Sequence, residues 1–245
     1  MKQFFNAFIM CQSMFCAIPC PLKIWDESAR DKQLLFLPLI GTEIGVLWFA
    51  IAKLCMFLNI PNFLTAFILA GYPFVISGYI HLDGFMDVTD AVKSCRNLEK
   101  RREILKDSRV GAFAVMGCVL LVTGQFAAFA SIDFNGIIAL VFIPVVSRLG
   151  SAFALNTLKK INQSQYVGFA KNKKHIAVLT FMFAVTAACS YIFCKNYIFA
   201  VLGTVLGYVF ALYKGYKNLD GVNGDVAGYA LTVSEFCGII VLALL

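Results

Sequence analysis

Residues 34–58 read LLFLPLIGTEIGVLWFAIAKLCMFL, an apolar run whose only charges are Glu43 and Lys53. About 20 such residues, coiled as a helix, cross the hydrocarbon core of a bilayer. A second run, NFLTAFILAGYPFVISGYI at 62–80, follows after little more than Ile60-Pro61. Further runs of similar length cover about 110–131, 136–157, 176–194, 197–213 and 226–245. The sequence therefore predicts an all-α, polytopic membrane bundle of about seven transmembrane helices, with tight hairpins at 60–61 and 195–196. The composition agrees: 60% of the residues are hydrophobic and only 14% charged, too few charges to cover a water-facing surface.

The basic residues orient the bundle. Four lie before Leu34, seven between His81 and Arg109, five between Leu158 and His175, and two between Lys214 and Gly228. The connections at 60–61, 132–135 and 195–196 hold one, Lys195. Positive loops stay in the cytoplasm, so seven spans put the amino terminus inside and the carboxyl terminus outside. The net charge of +7 is spread over several loops, which argues against a nucleic-acid-binding face. Residues 1–33 form a cytoplasmic or interfacial segment whose apolar part, QFFNAFIMCQSMFCAIPCP, is expected as a helix on the membrane surface or against the bundle rather than as a span. The nine cysteines are scattered, odd in number and without a CxxC pair, so they are read as small buried apolar residues. Neither a repeat nor a long linker divides the chain, which is read as one domain over 1–245 with a cytoplasmic motif loop at 81–109.

Acidic residues are scarce and unevenly placed. In HLDGFMDVTDA, Asp83, Asp87 and Asp90 stand at i, i+4 and i+7, within an arc of about 60° on one helical face. Three like charges so close repel unless a cation sits among them. Hard oxygen ligands in this pattern suit Mg²⁺, with Mn²⁺ as the alternative, completed by substrate phosphate; a solvated polar helix end is the plainer reading. LDGVNGDVAG places Asp220 and Asp225 among glycines just before the last run, on the same predicted face, so that one site could use both segments. Between them, Asn97 is a helix cap, Arg101 and Arg102 are read as lipid-facing loop charges, and Lys106 and Arg109 stand at the mouth of the next span, where they can grip phosphate.

Glu43, Arg148 and Glu235 lie inside apolar runs, each about nine residues from the cytoplasmic end. A bare charge there costs about 3 kcal/mol or more, so these groups are expected either to floor a cytoplasm-facing cavity or to pair with one another. His81 is read either as a site residue or as a helix-end polar group. Together these features point to transfer of a diphosphate-linked group.

HLDGFMDVTDA followed by EILKDSRVGAF, and then DGVNGDVAGYALTVSE, resemble the cobalamin synthase family, the adenosylcobinamide-GDP ribazoletransferases. FCAIPCP and FLPLIG are similar to that family's early segments, so the resemblance runs nearly end to end. It implies a Mg²⁺-dependent, multipass enzyme of the bacterial inner membrane, its site facing the cytoplasm, which joins adenosylcobinamide-GDP to α-ribazole or its 5′-phosphate and releases GMP. On the resemblance, Asp83, Asp87, Asp90 and Asp225 are metal ligands, the first three also catalytic. It further implies that Lys106 and Arg109 contact diphosphate, with Glu235 below Asp225; His81, Arg148, Asp220 and Glu43 complete the expected substrate-binding set. Met86 and Asn223 depart from the family's usual small residue and Thr. A CDP-alcohol phosphotransferase and a small-molecule transporter are the rival readings, membrane lipid is an expected partner, nucleic acid is not, and a homo-oligomer is left open.

Overall fold

The computed structural model describes residues 2–161 and 172–245, so part of the basic segment from Leu158 to His175 lies outside the described residues. The described residues form ten α-helices: α1 (Lys2–Phe15), α2 (Leu37–Phe57), α3 (Asn62–Ile76), α4 (Ile80–Lys93), α5 (Leu98–Ile104), α6 (Ala112–Ser131), α7 (Ala139–Thr157), α8 (Lys173–Cys194), α9 (Ile198–Leu219) and α10 (Gly224–Ala243). Among the described residues, five helical stretches are long and apolar enough to cross a membrane, namely Glu27–Phe57, Ala112–Ser131, Ala139–Thr157, Lys173–Leu219 and Gly224–Ala243. The count rises to six when the bent pair α3 and α4 is taken as one.

The second apolar run is shorter as a helix than its sequence suggests. Gly78 (φ 61) and Tyr79 (φ 62) both adopt the left-handed conformation, which ends α3 and turns the chain by 88° into α4. Glycine takes this conformation freely, whereas Tyr79 pays about 1–2 kcal/mol for it. The expected motif loop at 81–109 is thus two helices, α4 and α5, joined by a turn through Cys95 (φ 53). Helix α4 packs along the first turns of α6 and α10: Asp90 reaches Ala114, Gly84 packs on Asp225 and His81 on Gly228.

The expected amino-terminal helix is present as α1, 14 residues long. Gln12 donates to Glu43 of α2 at 3.1 Å, Asn6 to Asp26 at 2.7 Å, and the Phe15 ring stacks on His81 at 5.9 Å, so α1 packs against the bundle. All nine cysteines are free.

Close helix approach depends on absent side chains. Gly41 and Gly45, four apart on α2, face the α7 backbone, where a Cβ on Gly41 would sit 2.5 Å from the Pro144 carbonyl oxygen. Small residues at this spacing let helices approach where lipid gives little hydrophobic drive. Helices α7 and α9 run side by side, with Gly136 against Tyr197 at one end and Gly150 against Tyr208 further along. At the other end Ile161 N–H donates to the Val222 carbonyl and Val222 N–H to that of Lys159, at 3.1 and 2.9 Å. The acidic segments and the basic loops between α4 and α6, and between α9 and α10, therefore share one end of the bundle.

Pro73, inside α3, cannot donate to the Leu69 carbonyl four residues back. The buried Trp48 indole N–H takes that place at 3.0 Å. Replacing Trp48 with Phe strands the carbonyl and should cost about 1–3 kcal/mol. In a Pro73→Ala background, where a backbone N–H returns, the loss should shrink by at least about half, as a double-mutant cycle of unfolding in detergent would read.

Candidate active site where two helices cross

Asn223 begins the site. Its side-chain oxygen accepts from Val226 N–H at 2.9 Å and caps α10, while its amide donates to Asp225 Oδ2 at 2.6 Å. Asn223 thus caps the helix and also holds the carboxylate two residues on. Against this helix start lies α4. A Cβ on Gly84 would meet the Asp225 backbone at 3.0 Å, the Phe85 and Tyr229 rings stack 5.7 Å apart, and Thr232 Oγ1 donates to the His81 carbonyl at 3.1 Å.

This crossing brings Asp83, Asp87 and Asp90 toward Asp225 across 135 residues or more of sequence. Burial, then the charges of Asp83, Asp225 and Asp90, push the Asp87 carboxyl up to about 7. Burial is the larger cause, and the neighbouring carboxylates add to it. Among the described residues no three His, Cys, Asp or Glu side chains stand close enough to cage an ion unaided. Mg²⁺ does not need such a cage, since it keeps waters and takes one or two carboxylates plus substrate phosphates, so an open set of hard oxygens fits it. Asp90 is held differently: its Oδ1 accepts from Ala114 N–H at 3.1 Å and caps α6, and the missing side chain of Gly111 leaves room for the carboxylate.

A cleft of about 520 Å³ adjoins the crossing, walled by His81, Gly224, Asp225, Gly228 and Phe15. The His81 Nε2 is buried without a hydrogen-bond partner. A second opening of about 860 Å³ shares Met14 and Ile80 with the first and carries Asp83 on its wall, so acidic residues line both.

The remaining candidates fall into two groups. Lys106 and Arg109 are exposed at the approach to α6, where Arg109 grips Asp107 with contacts of 2.7–3.2 Å and holds its carboxyl down at about 2. The others are committed elsewhere. Asp220, in the left-handed conformation that ends α9, pairs with Lys159 at 2.8 Å and Arg102 at 3.4 Å, and the Lys159 hydrogen bond lowers its carboxyl from the usual range. Arg148, 0% exposed, pairs with Glu235 at 2.7 Å, with Ser147 donating to the same oxygen at 2.8 Å. Of the two outcomes open to the intramembrane charges, Arg148 and Glu235 show mutual pairing, and Glu43 takes Gln12 instead.

Sequence reasoning missed Arg101 and Arg102. Rather than facing lipid, Arg101 donates to Asn218 at 2.9 Å and Arg102 to the Leu219 carbonyl at 2.9 Å. Guanidinium groups at the carboxyl end of a helix satisfy its orphan carbonyls and its dipole, and here they clamp α5 to the turn that leads into Asp225. The signal was the facing LD pair at 219–220, which a single chain reading does not place beside residue 102.

The cobalamin-5-phosphate synthase family profile matches residues 7–243. The chain is 38% identical to an adenosylcobinamide-GDP ribazoletransferase of Clostridium perfringens (strain SM101 / Type A), with all of both chains covered. It is 34% identical to the protein of that name from Clostridium botulinum (strain Alaska E43 / Type E3), over 98% of this chain and 97% of the relative. Against the one from Clostridioides difficile (strain 630) it is 30% identical, over 97% of each. No solved structure matches. The chain belongs to the cobalamin-5-phosphate synthase family.

Because Asn223 both caps α10 and holds Asp225, Asn223→Ala should lower stability by about 1 kcal/mol, whereas Asn223→Thr, which keeps a capping oxygen, should lose less than half of that. Thermal unfolding of the purified variants reads the difference.

Proposed function

We propose that this member of the cobalamin-5-phosphate synthase family joins adenosylcobinamide-GDP to α-ribazole or its 5′-phosphate, giving adenosylcobalamin or its 5′-phosphate and GMP. The ribazole oxygen attacks the phosphorus attached to cobinamide, and the bond from that phosphorus to the oxygen of GMP breaks. GMP leaves with the bonding electrons, and the nucleophile gives up its proton. The single observation that carries the site assignment is the crossing of α4 over α10 at Gly84 and Asp225.

In this reading Asp83, Asp87, Asp90 and Asp225 would supply the carboxylates for Mg²⁺, or Mn²⁺ in its place, one or two binding the ion at a time with substrate phosphate completing the set. When bound, the ion neutralises phosphate oxygens and stabilises the leaving oxygen. Lys106 and Arg109 take the diphosphate, the guanidinium exchanging Asp107 for the substrate. Asp90, fixed at one oxygen by Ala114, orients the ribazole oxygen with the other. His81, with its unpartnered Nε2, faces the substrate from the cleft wall beside Gly228. Asp220, Arg148, Glu235 and Glu43 act on substrate only through the elements they fasten.

The membrane topology we favour has seven spans. The stretch Lys173–Leu219 is 47 residues, about 70 Å as one helix and twice what a bilayer needs, and Lys195 (φ 51) breaks it into α8 and α9. With α3 that makes seven, the amino terminus in the cytoplasm of a bacterial inner membrane, the carboxyl terminus outside, and the acidic end at the cytoplasmic face. The basic loops at that end support it. The family match over residues 7–243 sets aside the CDP-alcohol phosphotransferase and transporter readings.

Purified protein supplied with adenosylcobinamide-GDP, α-ribazole and Mg²⁺ should release GMP in step with completed corrinoid, and EDTA should stop it. Asp83→Asn and Asp87→Asn should each lower turnover at least about a hundredfold while the helical content and membrane insertion persist. Full activity of either variant at saturating Mg²⁺ removes that residue from the ligand set.

A carboxyl raised to about 7 must lose its proton to bind the ion. Mg²⁺ affinity of the substrate-free protein should therefore fall as pH drops from 8 to 6, with proton release per bound ion growing over the same window, as calorimetry in buffers of different ionisation enthalpy would read.

A further inference from the structure

The face of α4 that bears the aspartates has an opposite side. At 100° per residue, Phe85 and Thr89 point about 160° away from Asp87. They wall a groove of about 730 Å³ together with Leu120 of α6, Lys214 of α9 and Phe236 of α10. Lys93, in the last turn of α4, stands with Lys214 on its wall. Neither ammonium pairs with a carboxylate among the described residues. Leu120 is 73% exposed, so the apolar wall opens sideways, where the acyl chains of a bilayer lie.

We propose that this groove holds one anionic phospholipid, its phosphate between Lys93 and Lys214 and an acyl chain along Phe85, Leu120 and Phe236. Charge complementarity selects this occupant. Two unpaired lysines at headgroup depth each attract anionic lipid, and their stems extend the apolar wall beneath. A water-soluble phosphate would leave that wall open to solvent or lipid, and a second copy of a chain with net charge +7 would bring more positive charge to a basic end. The lipid touches α4, α6, α9 and α10 at once, and so seats the helix that carries Asp83, Asp87 and Asp90 from its outer side. The site is separate from the cleft at His81, and the proposal needs only the membrane bundle, not the transferase reading.

The test is native mass spectrometry of the full chain released from nanodiscs of equal phosphatidylglycerol and phosphatidylcholine. Wild type should retain one phosphatidylglycerol per chain with about thirtyfold preference over phosphatidylcholine, the size expected for two lysines near a charged headgroup. Lys93→Gln with Lys214→Gln should remove the preference, and Leu120→Trp, which fills the groove but keeps both charges, should lower total lipid retained. Absence of preference in wild type, or its survival in the double variant, overturns the proposal. Displacement of the lipid by GDP at equal concentration would assign the lysines to a nucleotide diphosphate and also overturn it, as would a lipid-free dimer.

Discussion

The backbone of α4 touches that of α10 because residue 84 has no side chain. A Cβ there would come within 3.0 Å of the Asp225 backbone, and everything that makes the site depends on that contact. It is reinforced by the stacked Phe85 and Tyr229 rings and by Thr232 bonding the His81 carbonyl. Reaching it requires the 88° turn at Gly78 and Tyr79, with a bulky residue held left-handed. Such local cost persists where surrounding packing over-determines it, and here that packing sets Asp225, at the start of α10, against the helix that carries Asp83, Asp87 and Asp90.

Charge is handled in three ways, each set by depth. Deep in the bundle, Arg148 and Glu235 pair directly and add Ser147, because a lone charge in that setting is costly. At the helix ends, Arg101, Arg102 and Lys159 are spent on the carbonyls and carboxylate around 218–220, fixing the turn that delivers Asp225. Around Asp87 the negative charges are left to face one another. The first two arrangements satisfy their groups within the protein, whereas in the third burial and neighbouring carboxylates together raise the Asp87 carboxyl. That contrast, rather than the number of acidic residues, sets the contact of α4 with α10 apart as the candidate site.

Composition and run length were enough for an all-helical fold with several helices long and apolar enough to cross a membrane, because hydrophobic length is a local property of the chain. The spacing of Asp83, Asp87 and Asp90 gave their shared face for the same reason: helical periodicity is local. The capping role of Asn97 was likewise legible, and its side chain accepts from Lys100 N–H at 3.0 Å. What the tertiary structure alone decided was partnership. That the 62–80 run stops at Ile76, that Asp90 caps a helix two dozen residues away, that Arg102 clamps residue 219 and that Asp220 is taken by Lys159 all depend on distances between segments remote in sequence. The pattern of one segment fixes which way its own side chains point, but hydrogen bonds and ion pairs are decided within about 3 Å, and only packing sets which groups come that close.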